Sequence, residues 1–386
     1  LNVINLTEQN QMFQQISISG GGIHGDEGAP ALPFKGLFLE VPHGPKVDLD
    51  VKVEWKELEG RFTVLPQQPP QPEELGPELK RPQPEFTMNN EVYGRDTWLP
   101  SSPAVIGEDA IIRGRRVLFV ELNPVRFNPA RGVLEGAWKM SVNLVLDGDV
   151  DAELEADKAR LASPAFEQQA SSLLANYKPI KPNRDLDSKD GGDYLILTAD
   201  LFETDLAPLV NWKTIKGYNV ELRTLTDIGG TTSTDIQNFM QSVYDTWSPV
   251  PEYVLLVGDV DNLESRIENP DAYGNDFPSD LGYSLLQGSD YFADIFISRM
   301  SVQTTTECAI VVDKFLEYDR TPEIDDWYNS ALVAAYLQDY DDNNCIADRW
   351  FLETGIHVLE YLRDDVGMTI ETSMCTDASS SCNPLA

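Results

Sequence analysis

Short apolar runs that alternate with polar residues dominate the first 150 residues of the chain. The run KVDLDVKVEW (46–55) is the clearest, because Val47, Leu49, Val51 and Val53 fall on one face of an extended strand and charged residues fall on the other. GLFLEVPHG, RRVLFVELNPV and WKMSVNLVLDG are comparable runs, and Gly or Pro bounds most of them. The pattern predicts a β-rich unit over 1–150, interrupted by an extended Pro-rich segment at 66–85.

The next segment, 151–192, changes from strand patterns to a helix and a linker. DAELEADKARLASPAFEQQASSLLANY is rich in Ala, Leu, Glu and Gln and lacks Gly, which favours a helix. KPIKPNRDLDSKDGGD combines Pro, Gly and charge, which is typical of a linker. The bonds after Lys181, Arg184 and Lys189 are the predicted processing sites, since a trypsin-like activity cleaves exposed chain there.

Strand and helix patterns alternate from residue 193 onward. DYLILTA, YNVELRTL, EYVLLVGD, DIFISRM, ALVAAYL and MTIETSM read as strands, and EYVLLVGD is apolar enough to be central. Helical patterns separate most of them, including one that Thr234 is placed to cap and one that ends before Gly367. The order predicts βαβ units, a mostly parallel sheet and helices on both of its faces.

The net charge of the chain limits the kinds of molecule that it can bind. There are 29 Lys and Arg against 64 Asp and Glu, a formal net charge of −35. Such a surface repels nucleic acid and anionic membranes. No apolar run reaches the roughly 18 residues that a membrane-spanning helix needs, so no transmembrane segment is predicted. Two interpretations of the excess of acidic residues stay open: they form a solvated surface, or some of them lie in loops that hold Ca²⁺ as a structural ion.

Four cysteines occur, and none lies in a CxxC pair that would indicate a zinc ribbon or a thioredoxin-type site. Cys375 and Cys382 flank the polar run TDASSS, which suits a small disulfide-closed loop. The alternative is that the cysteines are free, buried thiols.

Several segments of the second half resemble the gingipain family of cysteine peptidases. They occur in the family order, as EYVLLVGDVDNL (252–263), FPSDLGYSLLQGSDYFADIFISRMSV (277–302), KFLEYDR (314–320) and DDWYNSALVAA (325–335). GAPALPFKGLFLEVPHG, NNEVYGRDTWLPSSP and RRVLFVELNPVRFNPARGVL are similar to the family's prosegment. The resemblance implies an all-β prosegment (1–150), a helix and cleavable linker (151–192), and an α/β unit (193–386). That last unit would be the first subdomain of a caspase-like parallel-sheet αβα sandwich.

The resemblance also implies an activity. It is that of a secreted or cell-surface cysteine endopeptidase zymogen that cleaves proteins or peptides, requires no cofactor and is kept latent by its own prosegment. Such an enzyme needs a Cys thiolate, a His that holds it reactive and an acid that orients the His. The family pattern places the His and Cys after later strands, so we expect both downstream of this chain, in a continuation or in a second chain.

The expected orienting acid lies just past ALVAAYL, where Asp339 is the candidate and Asp341 the alternative. Asp341, Asp342 and Asn344 are equally candidates for a Ca²⁺ site, as is Asp259 at the end of EYVLLVGD, which can instead cap a turn. Ser279, Asp280 and Tyr283 either support the substrate cleft or a cation, or serve as loop scaffolding.

The remaining candidates are assigned structural roles. His24 is interpreted as part of a glycine loop, His43 as a turn residue and His357 as a helix residue. Cys308 is placed in a helix and Cys375 in a tail segment, and neither is expected to be the nucleophile. A basic prosegment residue is expected to block the specificity pocket, with five arginines available and no basis in spacing for choosing among them: Arg113, Arg115, Arg116, Arg126 and Arg131.

Two other functions stay open at this stage. The chain is compatible with a non-catalytic prosegment and scaffold that acts as an inhibitory or binding module. It is also compatible with a cell-surface transpeptidase of the same family.

Overall fold

The computed structural model describes residues 1–69, 85–182, 193–268, 276–337 and 351–376. They form a β-rich unit, two connecting helices and an α/β unit. Among these residues no helix is both long and apolar enough to cross a membrane.

The β-rich unit consists of antiparallel strands and one short helix. Its sheets have the orders β1-β2, β3-β4-β7-β6 and β5-β9-β8. The elements are β1 (Asn2–Glu8), β2 (Gln11–Ser17), β3 (Gly22–His24), β4 (Leu32–Val41), β5 (Lys46–Glu57), α1 (Asn90–Tyr93), β6 (Ala104–Ile112), β7 (Arg115–Leu122), β8 (Val125–Asn128) and β9 (Val133–Asp147).

The apolar alternation in the sequence accounts for the packing of β5. Its burial alternates with period two, and Val47 and Leu49 turn inward toward Leu118 and Val120 of β7. The strand pairs with β9 along its whole length, with a register shift between Glu54 and Trp55. The predicted β structure of this unit is confirmed.

Two helices connect the units: α2 (Ala152–Leu161) and α3 (Pro164–Leu173). The predicted single helix is interrupted because Pro164 has no N–H and begins α3 at its first position, with Ser163 extended before it. Leu161 joins the apolar core of the α/β unit, whereas Leu174 forms a bridge with Phe38 of the β-rich unit. The connecting helices are therefore packed against both units.

The α/β unit is built on the parallel sheet β11-β10-β12-β15. Its elements are β10 (Asp193–Thr198), α4 (Ala207–Ile215), β11 (Asn219–Thr224), α5 (Leu225–Ile228), α6 (Ser233–Thr246), β12 (Tyr253–Val257), β13 (Arg266–Glu268), β14 (Phe277–Ser279), β15 (Phe296–Met300), α7 (Thr305–Arg320), β16 (Ser330–Leu337), α8 (Phe351–Glu360) and β17 (Thr369–Thr376). The predicted central position of β12 is confirmed.

The predicted architecture, an all-β unit followed by an α/β unit with a parallel sheet, is confirmed. Within the described ranges, β16 and β17 pair in parallel as a separate two-stranded sheet instead of extending the four-stranded one. The end predicted before Gly367 is also confirmed, because a π-helical turn follows α8 and Gly367 closes it at φ +81°.

Three local predictions are wrong. The cap of α6 is Thr232, not Thr234, because the Thr232 hydroxyl accepts the N–H of Asp235 and the Asp235 carboxylate accepts the N–H of Thr232. His24 ends strand β3, paired with β4, and is not in a loop. Cys375 lies in β17 opposite Tyr336, and is not in a tail.

Candidate functional site

The carboxyl edge of the parallel sheet is where open α/β folds present their chemistry. Pairing here continues past the strand ends, because the Gly258 N–H donates to Met300 O (3.0 Å) and the Asp259 N–H donates to Val302 O (2.9 Å). Gly258 has φ +129°, and a Cβ there would stand 3.2 Å from the Cβ of Asn262. The Val-Gly-Asp ending is thus a close turn that requires glycine.

An arginine in β15 connects the two loops at this edge. The Arg299 Nε and Nη2 donate to the two carboxylate oxygens of Asp280, both at 2.7 Å. Its Nη1 donates to the carbonyls of Gly258 (2.8 Å) and Leu263 (2.7 Å). Only 10% of the Arg299 side chain is exposed, so this forked pair is shielded from water.

The Ser-Asp-x-x-Tyr segment belongs to the same network. The Ser265 hydroxyl donates to Asp280 (2.9 Å), and the hydroxyl of fully buried Tyr283 donates to the carbonyl of Glu264 (2.8 Å). Burial raises the pKa of Tyr283 well above its ordinary value, so the phenol stays a proton donor. Of the two interpretations left open for Asp280 and Tyr283, these contacts favour loop scaffolding.

Asp259 is held by turn contacts. Its main-chain carbonyl accepts the N–H groups of Asn262 and Leu263, each at 2.9 Å. Its carboxylate accepts from Gln303 Nε2 (2.8 Å), and this bond, with the Val260 N–H, lowers the pKa of Asp259. The described residues contain no group of three or more His, Cys, Asp or Glu arranged to hold a metal. The cation role of Asp259 stays a prediction.

Several predicted site residues lie outside the described residues. Lys181 is described, and it is exposed just after Ile180, whose N–H donates to Glu167 (3.0 Å). Strand β17 includes Cys375, while its proposed disulfide partner is not described. The undescribed candidates are Asp339, Asp341, Asp342, Asn344, Arg184, Lys189 and Cys382.

The described side chains offer no activated thiol at the carboxyl edge. Cys308 lies in α7, is fully buried and is a free thiol. Burial raises its pKa to about 11, so it stays protonated and poorly nucleophilic. Of the histidines, His357 lies in α8, and His43 is buried with its Nε2 2.8 Å from the carbonyl of Gly114. These positions agree with the structural roles expected for all three.

The amino edge of the sheet receives a side chain from the β-rich unit. Arg113 stands at the tip of the β6–β7 hairpin and is 4% exposed. Its main-chain N–H donates to Asp294 Oδ1 (2.8 Å), and its guanidinium group donates to carbonyls just ahead of β12 and β15. Burial raises the pKa of Asp294 to about 6, although the N–H groups of Leu286, Arg113 and Gln287 lower it.

The other four candidate arginines bind carboxylates within residues 1–180. Arg115 pairs with two carboxylates, those of Glu40 and Glu167. The other three pair with one carboxylate each: Arg116 with Asp109, Arg126 with Glu135 and Arg131 with Asp96. Arg113 therefore differs from the others in reaching across to the α/β unit. The inhibitory role expected for one of the five stays a prediction.

Further contacts surround Arg113 at the boundary between the units. Arg160 Nη1 of α2 donates to the carbonyl of Tyr244 (2.7 Å), and the Ile111 N–H donates to Asp290 (2.8 Å). Phe166 of α3 stacks on Phe296 of β15 with ring centroids 4.4 Å apart. These contacts between the two units were not predicted from the sequence. One signal was available in the Arg-Gly pair at the tip of the hairpin, where Asn-Gly or Asp-Gly is usual.

Two family models match the chain in tandem. Propeptide_C25 matches residues 1–180, and Peptidase family C25 matches residues 187–373. Both models describe parts of one peptidase class and together span nearly the whole chain. The chain belongs to peptidase family C25, with the family's propeptide ahead of the peptidase region.

Curated relatives come from Porphyromonas gingivalis. Gingipain R1 is 25% identical over 245 residues, which is 63% of this chain and 24% of the relative. Lys-gingipain W83 is 25% identical over 361 residues, which is 89% of this chain and 20% of the relative. The chain thus spans about a fifth to a quarter of the length of these relatives.

Solved structures of gingipains also match in part. The Arg-specific cysteine proteinase gingipain R is 24% identical with a TM-score of 0.39, covering 53% of this chain and 44% of that one. A complex of Porphyromonas gingivalis RgpB pro- and mature domains is 16% identical with a TM-score of 0.36, covering 46% and 87%.

Proposed function

We propose that the chain is the prosegment and the first part of the catalytic domain of a secreted cysteine endopeptidase zymogen. The nucleophilic Cys and its His partner would follow downstream, each after a later strand. The Cys thiolate would attack the peptide carbonyl, and the His would protonate the amine that leaves as the C–N bond breaks. Water would then cleave the resulting thioester, which releases the carboxylic acid and restores the Cys. Asp339, just past β16, is proposed to orient that His.

One observation carries the proposal: the propeptide-matched region is docked on the peptidase-matched region through buried contacts. Arg113, Leu161 and Phe166 all belong to residues 1–180 and all pack against the α/β unit. A unit that only tethered the peptidase would not need to bury a charged side chain in it, since such burial is costly without dedicated acceptors. This supports a prosegment that aids folding of its own peptidase and keeps it latent.

The residues at the carboxyl edge have a supporting part in this mechanism. The fork of Arg299 on Asp280 fixes the loops that follow β12 and precede β15. We propose that these loops form one wall of the substrate cleft. Cys308 takes no part, because it is buried and its high pKa keeps the thiol protonated.

The experiment uses the full-length natural gene product with its downstream sequence. An alkylating thiol probe should label a single downstream Cys in the processed protein, and changing that Cys to Ala should remove both labelling and peptide hydrolysis. Cys308→Ser is the matched control and should leave both intact. If labelling persists without the downstream Cys, or if no thiol-dependent hydrolysis occurs, the assignment is wrong.

Latency is proposed to end by cleavage in the linker. Lys181 is exposed immediately after the segment that Glu167 holds, and Arg184 and Lys189 follow it. Replacing all three with Gln should block conversion to the active form and leave the uncut chain folded. Normal activation of the triple variant would place the processing site elsewhere.

A structural Ca²⁺ ion is a separate proposal, on the acidic segment Asp341, Asp342 and Asn344 with Asp259 as a fourth candidate. Oxygen ligands of this kind suit Ca²⁺. Saturating Ca²⁺ should raise the melting temperature and EDTA should lower it, as expected for a ligand that binds the folded state. A melting temperature that changes with neither Ca²⁺ nor EDTA would contradict this proposal.

A further inference from the structure

The tip of the β6–β7 hairpin holds an arginine in an unfavourable backbone conformation. Ile112 pairs with Arg115, so Arg113 and Gly114 form a two-residue turn with φ values of +45° and +79°. Such turns favour Asn-Gly, and a left-handed residue with a Cβ costs roughly 1–2 kcal/mol. Strain of this kind persists where surrounding contacts over-determine it. The contacts of the Arg113 side chain hold the turn in this conformation.

Main-chain carbonyl groups surround the guanidinium group of Arg113. The central carbon of the guanidinium group also lies 4.7 Å from the ring centre of Phe166. The four acceptors are Leu161 O (2.6 Å from Nε), Pro251 O and Asp294 O (2.9 and 2.7 Å from Nη1) and Val250 O (2.8 Å from Nη2). A planar fork of N–H donors matches this arrangement, whereas an ammonium group presents a compact point charge with three donors.

Three of the four acceptors belong to the α/β unit, and bonds within that unit anchor the chain beside Pro251 and at Asp294. The Phe296 N–H donates to Glu252 O (3.0 Å), which anchors the chain that follows Pro251. The Asp294 N–H donates to Ser284 O (2.8 Å), and the Asp294 carboxylate accepts the N–H groups of Leu286 (2.9 Å) and Gln287 (2.8 Å). These bonds do not involve the hairpin, so the acceptors are held in place by the α/β unit itself.

We propose that the α/β unit carries a binding site for an arginine side chain, formed by the carbonyls of Val250, Pro251 and Asp294 at the amino edge of its sheet. Arg113 fills the site in this chain. When the hairpin is withdrawn, the same site takes the guanidinium group of another arginine-containing polypeptide. Pro251 also borders a surface cleft of about 220 Å³, with Tyr194 and Trp247, which leaves room for the residues that flank such an arginine. The inference goes beyond the peptidase assignment and does not depend on it.

Chemical rescue tests the site in the full chain. Arg113→Ala removes the guanidinium group and leaves its acceptors in place, and methylguanidine is the probe that replaces it. Melting temperature is measured against methylguanidine up to about 10 mM. Above its Kd, a ligand of the folded state raises the melting temperature with the logarithm of its concentration, by about 2–4 °C for each tenfold increase. Wild type should show no rise, because Arg113 already occupies the site. Methylammonium should not rescue the variant.

Arg131→Ala is the matched control. Arg131 forms an ion pair with Asp96 (2.7 Å) in which both side chains are more than half exposed, so its removal leaves no enclosed site. Equal responses of Arg113→Ala, Arg131→Ala and wild type to methylguanidine would overturn the proposal, as would equal rescue by methylammonium.

Should Arg113→Ala fail to fold alone, the yield of soluble chain on refolding becomes the readout. Methylguanidine should restore the yield of Arg113→Ala selectively, with methylammonium and Arg131→Ala as the same controls. Yields that do not differ with and without methylguanidine would count against a guanidinium site as firmly as a flat melting curve.

Discussion

Each edge of the parallel sheet is organised around one arginine that is largely shielded from water, but the two arginines come from different parts of the chain. Arg299 belongs to the sheet itself and grips Asp280, 19 residues away in sequence. Arg113 comes from the β-rich unit and meets Asp294, 181 residues away. The carboxyl edge is therefore fixed by contacts local to the α/β unit, whereas the amino edge is completed by a side chain from the propeptide region.

The two arginines therefore contribute to different properties: Arg299 to the stability of the α/β unit, and Arg113 to the docking of residues 1–180 on it. Contacts of Arg299 hold the loops of the α/β unit whether or not residues 1–180 are attached. Contacts of Arg113 exist only while the propeptide region is docked, so their loss leaves buried carbonyls without donors. Breaking the contacts of Arg299 should destabilise the α/β unit, whereas breaking those of Arg113 should weaken the docking of residues 1–180.

The largest effect is expected from Arg299→Ala. Removing Arg299 leaves the Asp280 carboxylate with only the Ser265 hydroxyl as donor among the described residues and leaves two carbonyls without this partner, which costs about 3–5 kcal/mol in the free energy of unfolding. Urea denaturation of the full chain measures the change.

Arg223→Ala is the control for that experiment. Arg223 pairs with Glu221 at 3.0 Å, but both side chains are more than a third exposed, so the loss should be below about 1 kcal/mol. Similar losses in the two variants would show that the Arg299 network is no stronger than a surface pair.

The sequence predicted the elements that build the carboxyl edge far better than it predicted the docking at the amino edge. Period-two and βαβ patterns are local, so the strands, their parallel arrangement and the central place of β12 could all be predicted. Gly258, Asp280, Tyr283 and Arg299 all lie in the segments that resemble the family. Only the structure showed that Gly258 and Asp280 bind Arg299 and that Tyr283 binds the adjacent Glu264.

The amino edge could not be predicted, because its partners lie far apart in the chain and carry no common motif. Main-chain carbonyls such as Val250 O and Pro251 O leave no trace in residue identity, since every residue has one. Spacing could not distinguish Arg113 from four neighbouring arginines. Its one local signal, the Arg-Gly turn, shows strain but does not identify the partner.

Gly114→Ala should disturb the hairpin contact at the amino edge without removing a charged group. A Cβ at Gly114 would stand 2.6 Å from Leu161 Cδ1, and its φ of +79° is unfavourable for Ala. We expect about 1–2 kcal/mol from the backbone and a further 1–3 kcal/mol from overpacking against Leu161. The free energy of unfolding of the full chain reports both contributions together.

Gly229→Ala isolates the backbone contribution. Gly229 has nearly the same φ, +76°, and a Cβ added there would meet open space, with no packing partner within 4 Å. Only the backbone cost of about 1–2 kcal/mol applies to it. If Gly114→Ala costs no more than Gly229→Ala, Leu161 does not press on the hairpin and the docking contact is looser than described.

The smallest expected effect is a dependence on pH at the amino edge. Burial raises the pKa of Asp294 to about 6, above the 3.8 of the unfolded chain, so the folded protein holds this proton more tightly. The contribution of Asp294 to stability is therefore fully present below pH 3.8 and is lost as the pH rises through about 6. Between about pH 4.5 and 7.5 the loss amounts to about 2 kcal/mol.

Asp294→Asn removes that titration, so the free energy of unfolding of wild type minus that of the variant should fall by this amount as pH rises. A constant offset between the two proteins is immaterial, because only the slope with pH reports the proton. Asp313→Asn, at an exposed position of α7, should leave the wild-type slope unchanged. If the slope for Asp294→Asn matches that of wild type, Asp294 is already ionised throughout this range. The amino edge would then hold a charged carboxylate at every pH tested, as the carboxyl edge does with Asp280 beside Arg299.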